Sequence, residues 1–466
     1  MTFFEIFVIL QVLVVIYFFT INISYTVLFQ VALYEVRKQF KRTFIEDYEY
    51  LRHSKLTPGF SLIVPAHNEE KDIVSAVRSF LANTYPKFEV IIVNDGSTDR
   101  TLEVLKEEFK LVESKHYVIR EDIKTSRVNG YYVSSVQPNL IVVDKEYGGT
   151  KGDVLNVGVN VARYSYFMNV DADVVLDQKA MLRIMKPLLE DPEKNVGAGG
   201  IIRVVNSCRQ EKGIIKEVRV SRNPLVIFQI VEYIRAFTAG RAAFSKLNSL
   251  VLISGAFGVF NCNIVRKLSG FKEHVGEDME LVVNIHRYLR KEKKKYNLLY
   301  KAYPICWTEV PGDLRILGRQ RARWQRGLSE TLSNNIGMIF NPRYGTVGLI
   351  GLPFHFFFEF LGPLIEASGY VLFAFLIILG VVSWNMFILF IVVAVLWGVL
   401  LSLNAILFEE VNFRVYKKWY QILLLLLFAV LENLGYRQMT VLWRIGGFID
   451  FVFGKRTWGE MPRKGI

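Results

Sequence analysis

Cysteine is scarce in this chain of 466 residues: Cys208, Cys262 and Cys306 are all it has, and they lie far apart. That spacing matches neither a disulfide framework nor a cysteine metal site, so the three are expected to be reduced packing residues. A cleavable leader is not expected either. Residues 3 to 33 are almost uninterruptedly apolar, longer than the roughly 20 residues a spanning helix needs. No basic start or small-residue cleavage site accompanies them, so an uncleaved anchor is expected. Nucleic-acid-binding patterns are absent despite a formal net charge of +13. The basic residues gather instead at the edges of apolar segments, as at Arg37, Lys38, Lys41 and Arg42, and at Arg414, Lys417 and Lys418. Positive residues beside a span mark its cytoplasmic side and meet anionic lipid there, which excludes nucleic acid as the partner.

Hydrophobic residues make up 52% of the chain, and the mean hydropathy of +0.26 is high for a soluble protein. The excess lies at the two ends. Five regions follow: an N-terminal anchor (1–36), a basic juxtamembrane linker (37–57), a cytosolic domain (58–335), interfacial and transmembrane helices (336–454) and a basic tail (455–466). In the central region short β-branched runs alternate with helical periods, as in Phe60–Val64 before Glu70–Asn83, and Glu89–Val93 before Arg100–Phe109. Leu140–Val143, Lys151–Ala162 and Tyr166–Val170 continue the series. This is the pattern of an α/β domain with a mostly parallel sheet. Asn129-Gly130 predicts a tight hairpin turn within an insertion over 116–147. Pro363–Val382 and Met386–Phe408 are each long enough to span, joined by a turn at Ser383-Trp384-Asn385. Residues 334–360 predict an approach along the membrane surface. The segment from Trp419 to Phe453 contains Glu432, Asn433, Arg437, Gln438 and Arg444. It reads either as a span followed by an interfacial helix or as a re-entrant pair. The tail's Lys455, Arg456, Arg463 and Lys464 favour a cytoplasmic end, whereas a single crossing by that segment puts the tail outside.

Four short motifs carry the chemistry. Asp95, in Asn94-Asp95-Gly96-Ser97-Thr98-Asp99, and Asp171, in Asp171-Ala172-Asp173, both follow apolar strand runs. Ligands of such sheets lie beyond the carboxyl ends of the strands, so the two can face one ligand. Asp95 suits a uracil N–H or a ribose hydroxyl, although a turn-and-cap role is also open. Asp171 and Asp173 offer oxygen ligands to Mg²⁺ or Mn²⁺, with phosphate oxygens completing the shell; capping aspartates in a polar loop are the plainer alternative. Glu69 is a second nucleotide contact, and Lys151 stands on a glycine-rich approach to a helix N-terminus, which suits phosphate. Glu277-Asp278 opens an amphipathic helix, either as dipole-matched acids or as the general base that takes a proton from an acceptor hydroxyl. Gln320-Arg321-Ala322-Arg323-Trp324 embeds an indole and an amide among arginines. A sugar ring stacks on the first, and arginine binds diphosphate bidentately. Ser254-Gly255 offers a small-residue wall beside which a sugar can lie.

Taken together, Asp95, Asp171-x-Asp173, Glu277-Asp278 and Gln320-x-x-Arg323-Trp324 resemble the signature of membrane-embedded family 2 glycosyltransferases. That group includes cellulose, hyaluronan, chitin and poly-N-acetylglucosamine synthases, and the last branch is the most similar. The resemblance covers residues 60–326 and departs from the family's pattern at Gly276, where a threonine is usual, and in the longer insertion before Lys151. It implies a GT-A fold flanked by transmembrane and interfacial helices, in the plasma (inner) membrane with the catalytic domain cytoplasmic. It implies a UDP-sugar donor, Mg²⁺ or Mn²⁺, and inverting transfer onto a growing β-linked polysaccharide, coupled to its translocation. Transfer of one sugar to a lipid acceptor is the alternative. It assigns Asp95, Glu69 and Lys151 to the nucleotide, Asp171 and Asp173 to metal and diphosphate, and Asp278 to the base. Gln320, Arg323 and Trp324 would hold pyrophosphate and acceptor sugar. Membrane lipid and a small accessory subunit are the remaining expected partners.

Overall fold

The computed structural model of the chain describes residues 3–45, 48–115, 119–211 and 213–455. The basic tail from Arg456 onward, with Arg463 and Lys464, lies outside them. Helix α1 (Phe3–Ile45) comes first. Its helical phase runs straight through Arg37, Lys38 and Lys41, so the expected linker begins as the end of the anchor helix.

The central domain then alternates as its sequence predicts: β1 (Phe60–Ala66), α2 (Ile73–Leu81), β2 (Phe88–Asp95) and α3 (Thr101–Phe109). Next come β3 (Leu111–Glu113), β4 (Val128–Ser134), β5 (Leu140–Lys145), α4 (Lys151–Val161) and β6 (Tyr166–Asn169). The second half adds β7 (Val174–Leu176), α5 (Ala180–Glu190), β8 (Asn195–Val204), the two-stranded β9 (Arg209–Glu211) and β10 (Ile214–Glu217), and α6 (Pro224–Tyr233). A π-helix at Ile234–Gly240 leads into α7 (Arg241–Lys246), followed by β11 (Gly258–Asn261), α8 (Glu277–Lys291), β12 (Asn297–Thr308) and α9 (Leu314–Asn334). One ten-stranded sheet results, in the order β3-β4-β5-β2-β1-β6-β11-β8-β12-β7. Strands β5, β2, β1 and β6 are mutually parallel and form its centre. They read as continuous apolar runs because helices cover both faces; Leu62, Ile63, Val64, Ile91 and Ile92 are fully buried. Antiparallel pairings extend the sheet on either side.

The expected hairpin turn at Asn129-Gly130 is not there. Both residues lie inside β4, where Gly130 faces Asp144 of β5 across a register shift. Neither residue has the positive φ that a tight hairpin requires, and the side chain of Asn129 donates to Asp144 Oδ2 at 3.2 Å. The dipeptide marks a bulge, and the insertion adds an antiparallel flank to the sheet.

Four helical stretches among the described residues are long and apolar enough to cross a membrane: Glu5–Lys41, Val347–Ile378, Trp384–Phe413 and Trp419–Val452. The second reaches further back than the sequence suggested, because residues 347–360 are wound into helical turns continuous with α10 (Gly362–Ile378). The turn before α11 (Trp384–Phe413) falls at 379–383, where Gly380 takes φ 68°. The last stretch is α12 (Trp419–Leu431) followed by α13 (Arg437–Val452), broken at Leu434 and Gly435, whose φ of 108° favours glycine.

The membrane helices share the core of the α/β domain. Leu28, Phe29, Ala32 and Val36 of α1, Ala405 and Ile406 of α11 and Leu425 of α12 belong to the same buried cluster as the sheet. The sheet and the spans are therefore packed around one continuous core.

Candidate active site

Every site residue expected from the sequence lines one cavity of about 1760 Å³. The cavity starts at the carboxyl ends of β1, β2 and β6, as sheet topology dictates, and continues between the membrane helices.

At the sheet end of the cavity, Asp95 closes β2 and is buried. Strand register sets Lys145, the last residue of β5, directly beside it. The fully buried ammonium of Lys145 pairs with Asp95 and lies 2.8 Å from Asp153 Oδ2. The Gly148 N–H adds a 3.0 Å bond to Asp95 Oδ1. Asp95 is thus a carboxylate clamped from one side, not a free loop acid. Asp153 in turn accepts from the backbone and hydroxyl of Ser126 at 2.9 and 2.7 Å, which ties the insertion to the start of α4. Sequence reading missed Lys145, and its only signal was the charged pair Asp144-Lys145 ending an apolar strand. His67 donates from Nδ1 to the Asp95 carbonyl at 2.7 Å, and its ring lies 5.0 Å from that of Tyr147, both on the cavity wall. Glu69 lines the same end. Asp99 accepts at 2.9 Å from the N–H of Thr101, the first residue of α3.

Lys151 opens α4, with Thr150 accepting from Asp153 N as the cap. Its ammonium reaches over the end of β6, pairs with Asp171 and donates to the Gly255 carbonyl at 3.1 Å. Burial disfavours that charge, but Asp171, Glu277 and Asp278 outweigh it and raise the pKa. Asp171 is partly open to the cavity, whereas Asp173 is buried and takes a long 3.5 Å bond from Thr308 of β12. Two carboxylates on one wall suit a hard divalent cation that completes its shell with ligand oxygens. Among the described residues no group of three or more His, Cys, Asp or Glu side chains forms a self-sufficient metal site.

Helix α8 delivers the next pair. Asp278 Oδ2 accepts from Gly255 N at 2.9 Å and Oδ1 from Met279 N at 2.8 Å. The small-residue wall at Ser254-Gly255 therefore touches the Asp278 carboxylate. Gly276 is explained by packing: a Cβ there would meet the backbone oxygen of Gly327 in α9 at 2.7 Å, so the family's threonine would not fit this helix crossing. Gly327 is seven residues after Gln320, with Arg323 and Trp324 between them at helical i+3 and i+4 spacing. The glycine contact thus brings the Gln320–Trp324 face up to Asp278. Trp324 is 44% exposed, and its ring is covered on one side by the Arg321 guanidinium, 4.2 Å from the centroid. Arg321 is fixed by Glu232 at 2.7 Å. Behind α9 runs α13, where Gly447 packs so tightly on Ala322 that an added Cβ would lie 2.2 Å from its carbonyl oxygen.

Burial, and then the neighbouring charge of Asp278, push the Glu277 carboxyl up to about 8. Between an ordinary value of 4.5 and about 8, the folded protein holds a proton that the unfolded chain releases. Stability from this group therefore falls as pH rises across that window. Glu277→Gln removes the group, so its advantage in unfolding temperature over the wild type, measured without metal or donor, should grow from about pH 5 to about pH 8. A gap that stays constant with pH would mean that Glu277 is ionised throughout.

Further along, Glu432, Arg437 and Arg444, three of the polar residues that interrupt the last apolar segment, line the same cavity and are paired across helices. Arg437 bonds Glu366 at 2.8 Å, Arg444 bonds Glu359 at 3.0 Å, and Arg235 bonds Glu432.

Two family profiles match the chain: Glycosyl transferase family 2 over residues 61–267, and Glycosyl transferase family group 2 over residues 166–407, more than half of its length. Among curated proteins, a Poly-beta-1,6-N-acetyl-D-glucosamine synthase of Staphylococcus epidermidis is 26% identical over 275 residues, covering 59% of this chain and 55% of its own. One of the same name from Staphylococcus aureus (strain N315) has the same identity and coverage. The chain thus spans little more than half the length of these relatives. Among solved structures, a mannosyltransferase from Pyrobaculum calidifontis aligns over 94% of this chain and 100% of its own, at 17% identity and a TM-score of 0.49. With Asp171, Asp278 and Trp324 all inside the longer matched region, this membrane protein belongs to glycosyl transferase family group 2.

Proposed function

We propose that the protein is an inverting, metal-dependent hexosyltransferase that extends a β-linked polysaccharide from a UDP-sugar and passes the product between its own spans. The observation that carries this reading is the continuity of the cavity. It runs from Asp95 and Asp171, past Asp278 and Trp324, to Glu366, Glu432 and Arg437 among the membrane helices. Its membrane part is lined by matched carboxylate–guanidinium pairs. Such pairs supply hydrogen-bonding groups without net charge, which suits a neutral, hydroxyl-rich chain. The name of the Staphylococcus relatives favours UDP-N-acetylglucosamine over UDP-glucose as donor. Arg37, Lys38 and Lys41 after the first span favour a plasma-membrane orientation with residues 58–335 in the cytoplasm, where UDP-sugars are made.

In this reading Asp95 and Glu69 hold the uridine, while Lys151 and Arg323 hold the diphosphate. Asp171 and Asp173 would hold Mg²⁺ or Mn²⁺, which when bound supplies charge stabilisation for the departing diphosphate. Trp324 and Gln320 support the acceptor's terminal sugar beside Ser254-Gly255. Asp278 accepts the proton of the acceptor hydroxyl as that oxygen bonds to the anomeric carbon from the face opposite the diphosphate. The anomeric C–O bond breaks with its electron pair going to the diphosphate oxygen, and the configuration inverts. Glu277, neutral near pH 7, keeps a second negative charge away from Asp278.

Trp324→Ala tests the acceptor platform. Radiolabelled high-molecular-weight product should disappear while UDP binding persists, with residual release of free sugar, because every donor contact is elsewhere. A wild type that yields a single short glycolipid would replace the processive reading with the lipid-acceptor one. Normal synthesis by Trp324→Ala would remove the platform from the mechanism.

A further inference from the structure

Arg241 differs from five other cations of the cavity. Lys151, Arg235, Arg321, Arg437 and Arg444 each face a carboxylate. Arg241 lines the same cavity, yet among the described residues it makes neither a hydrogen bond nor an ion pair. Its guanidinium instead sits over Phe237, 3.8 Å from the ring centroid. Phe237 is part of the π-helix that delivers Arg241 to the start of α7. That contact fixes one face of the guanidinium and leaves its N–H edge for a ligand. Burial lowers the pKa of Arg241, and the nearby Tyr300, Asp278 and Tyr233 only partly offset this. A desolvated cation of this kind favours an oxyanion that is not part of the chain.

The surrounding wall indicates which oxyanion. Phe244, one turn beyond Arg241 in α7, lies 5.1 Å from the ring of Phe354 in the second span, which lies 5.3 Å from the Tyr25 ring of α1, and all three line the cavity. Two membrane spans therefore meet α7 one turn beyond Arg241, and an apolar tail has aromatic surface to lie on there. We infer that Arg241 forms a phosphate-binding subsite on the membrane side of the cavity, apart from the donor's diphosphate position at Lys151 and Asp171. Its ligand is a phosphate group, supplied either by a lipid headgroup or by a soluble phosphate. In the proposed reaction, on which this assignment of sides rests, the subsite belongs to the acceptor half.

Binding, not transfer, tests it. The full-length chain in detergent is titrated with dioctanoyl phosphatidic acid, inorganic phosphate, glucuronate and dioctanoylglycerol, by calorimetry. UDP is titrated separately, so that failure of the donor reading is scored on its own. Wild type should bind phosphatidic acid, and Arg241→Gln should weaken that binding by roughly tenfold to a hundredfold, as expected for a lost charge-assisted contact. Phosphatidic acid binding much more tightly than phosphate assigns the ligand to lipid, and equal affinities assign it to a soluble phosphate. Should Arg241→Gln not fold, phenylglyoxal labelling of Arg241 in the wild type, read by peptide mass, should be blocked by phosphatidic acid. Glucuronate binding as well as phosphate, phosphatidic acid binding no better than dioctanoylglycerol, unchanged affinity in Arg241→Gln or unprotected labelling would each overturn the subsite.

Discussion

Asp278→Asn should leave UDP-sugar affinity near its wild-type value and reduce transfer by roughly 10²–10⁴-fold, the usual contribution of a positioned general base. The substitution keeps the size of the side chain. An amide oxygen can still accept from Gly255 N or Met279 N, the two bonds that hold Asp278 in the structure, so the wall and the start of α8 should survive. What disappears is the basic oxygen that would take the acceptor's proton. Glu277 is a poor substitute, because burial and its neighbour push it up to about 8 and leave it neutral near pH 7. Donor binding by calorimetry and transfer by radiolabel separate the two effects. If the variant loses donor affinity in step with transfer, Asp278 serves only to hold Gly255 and cap the helix. If it transfers at the normal rate, the base lies elsewhere.

The sequence was most informative where local pattern and global topology agree. Asp95 and Asp171 were expected at one sheet edge because each follows an apolar run in a strand–helix alternation, and β1, β2 and β6 are indeed parallel. The Gln320–Trp324 face was legible for a similar reason, since i, i+3 and i+4 spacing fixes a helical stripe before any neighbour is known. Lys145 was not legible. Its meaning depends on the pairing of β5 with β2, which sets it opposite Asp95, and pairing partners are not written in either strand alone. The same holds for Glu366–Arg437 and Glu359–Arg444, whose members come from different helices. Read singly, these charges only spoiled an apolar segment; in the fold they line the cavity. Asn129-Gly130 misled for the converse reason. A strong local turn signal was overruled by the antiparallel edge that β4 finds on β5.

Asp173→Asn should lower transfer by orders of magnitude and abolish metal rescue, while the protein stays folded in detergent. Wild-type transfer should cease in EDTA and return with Mg²⁺ or Mn²⁺. The expectation rests on the chemistry of the leaving group, a diphosphate that accumulates negative charge as the anomeric bond breaks. It also rests on Asp171 and Asp173 being the carboxylates that line the cavity at the end of β6. Lys151 already neutralises part of Asp171, which makes Asp173 the more telling position. Its carboxylate is buried and takes a long contact from Thr308, so a cation there would offset the cost of burying its charge. Removing one charge there should change little in packing, since asparagine is nearly isosteric and the Thr308 hydroxyl keeps an acceptor. Mn²⁺ binding, followed by electron paramagnetic resonance in the presence of UDP, gives a readout independent of turnover. Wild type should bind the ion and Asp173→Asn should bind it at least tenfold more weakly. Full transfer in EDTA would mean that Lys151 and Arg323 alone carry the diphosphate charge. Equal Mn²⁺ affinity in wild type and variant would move the ion to other oxygens of the cavity.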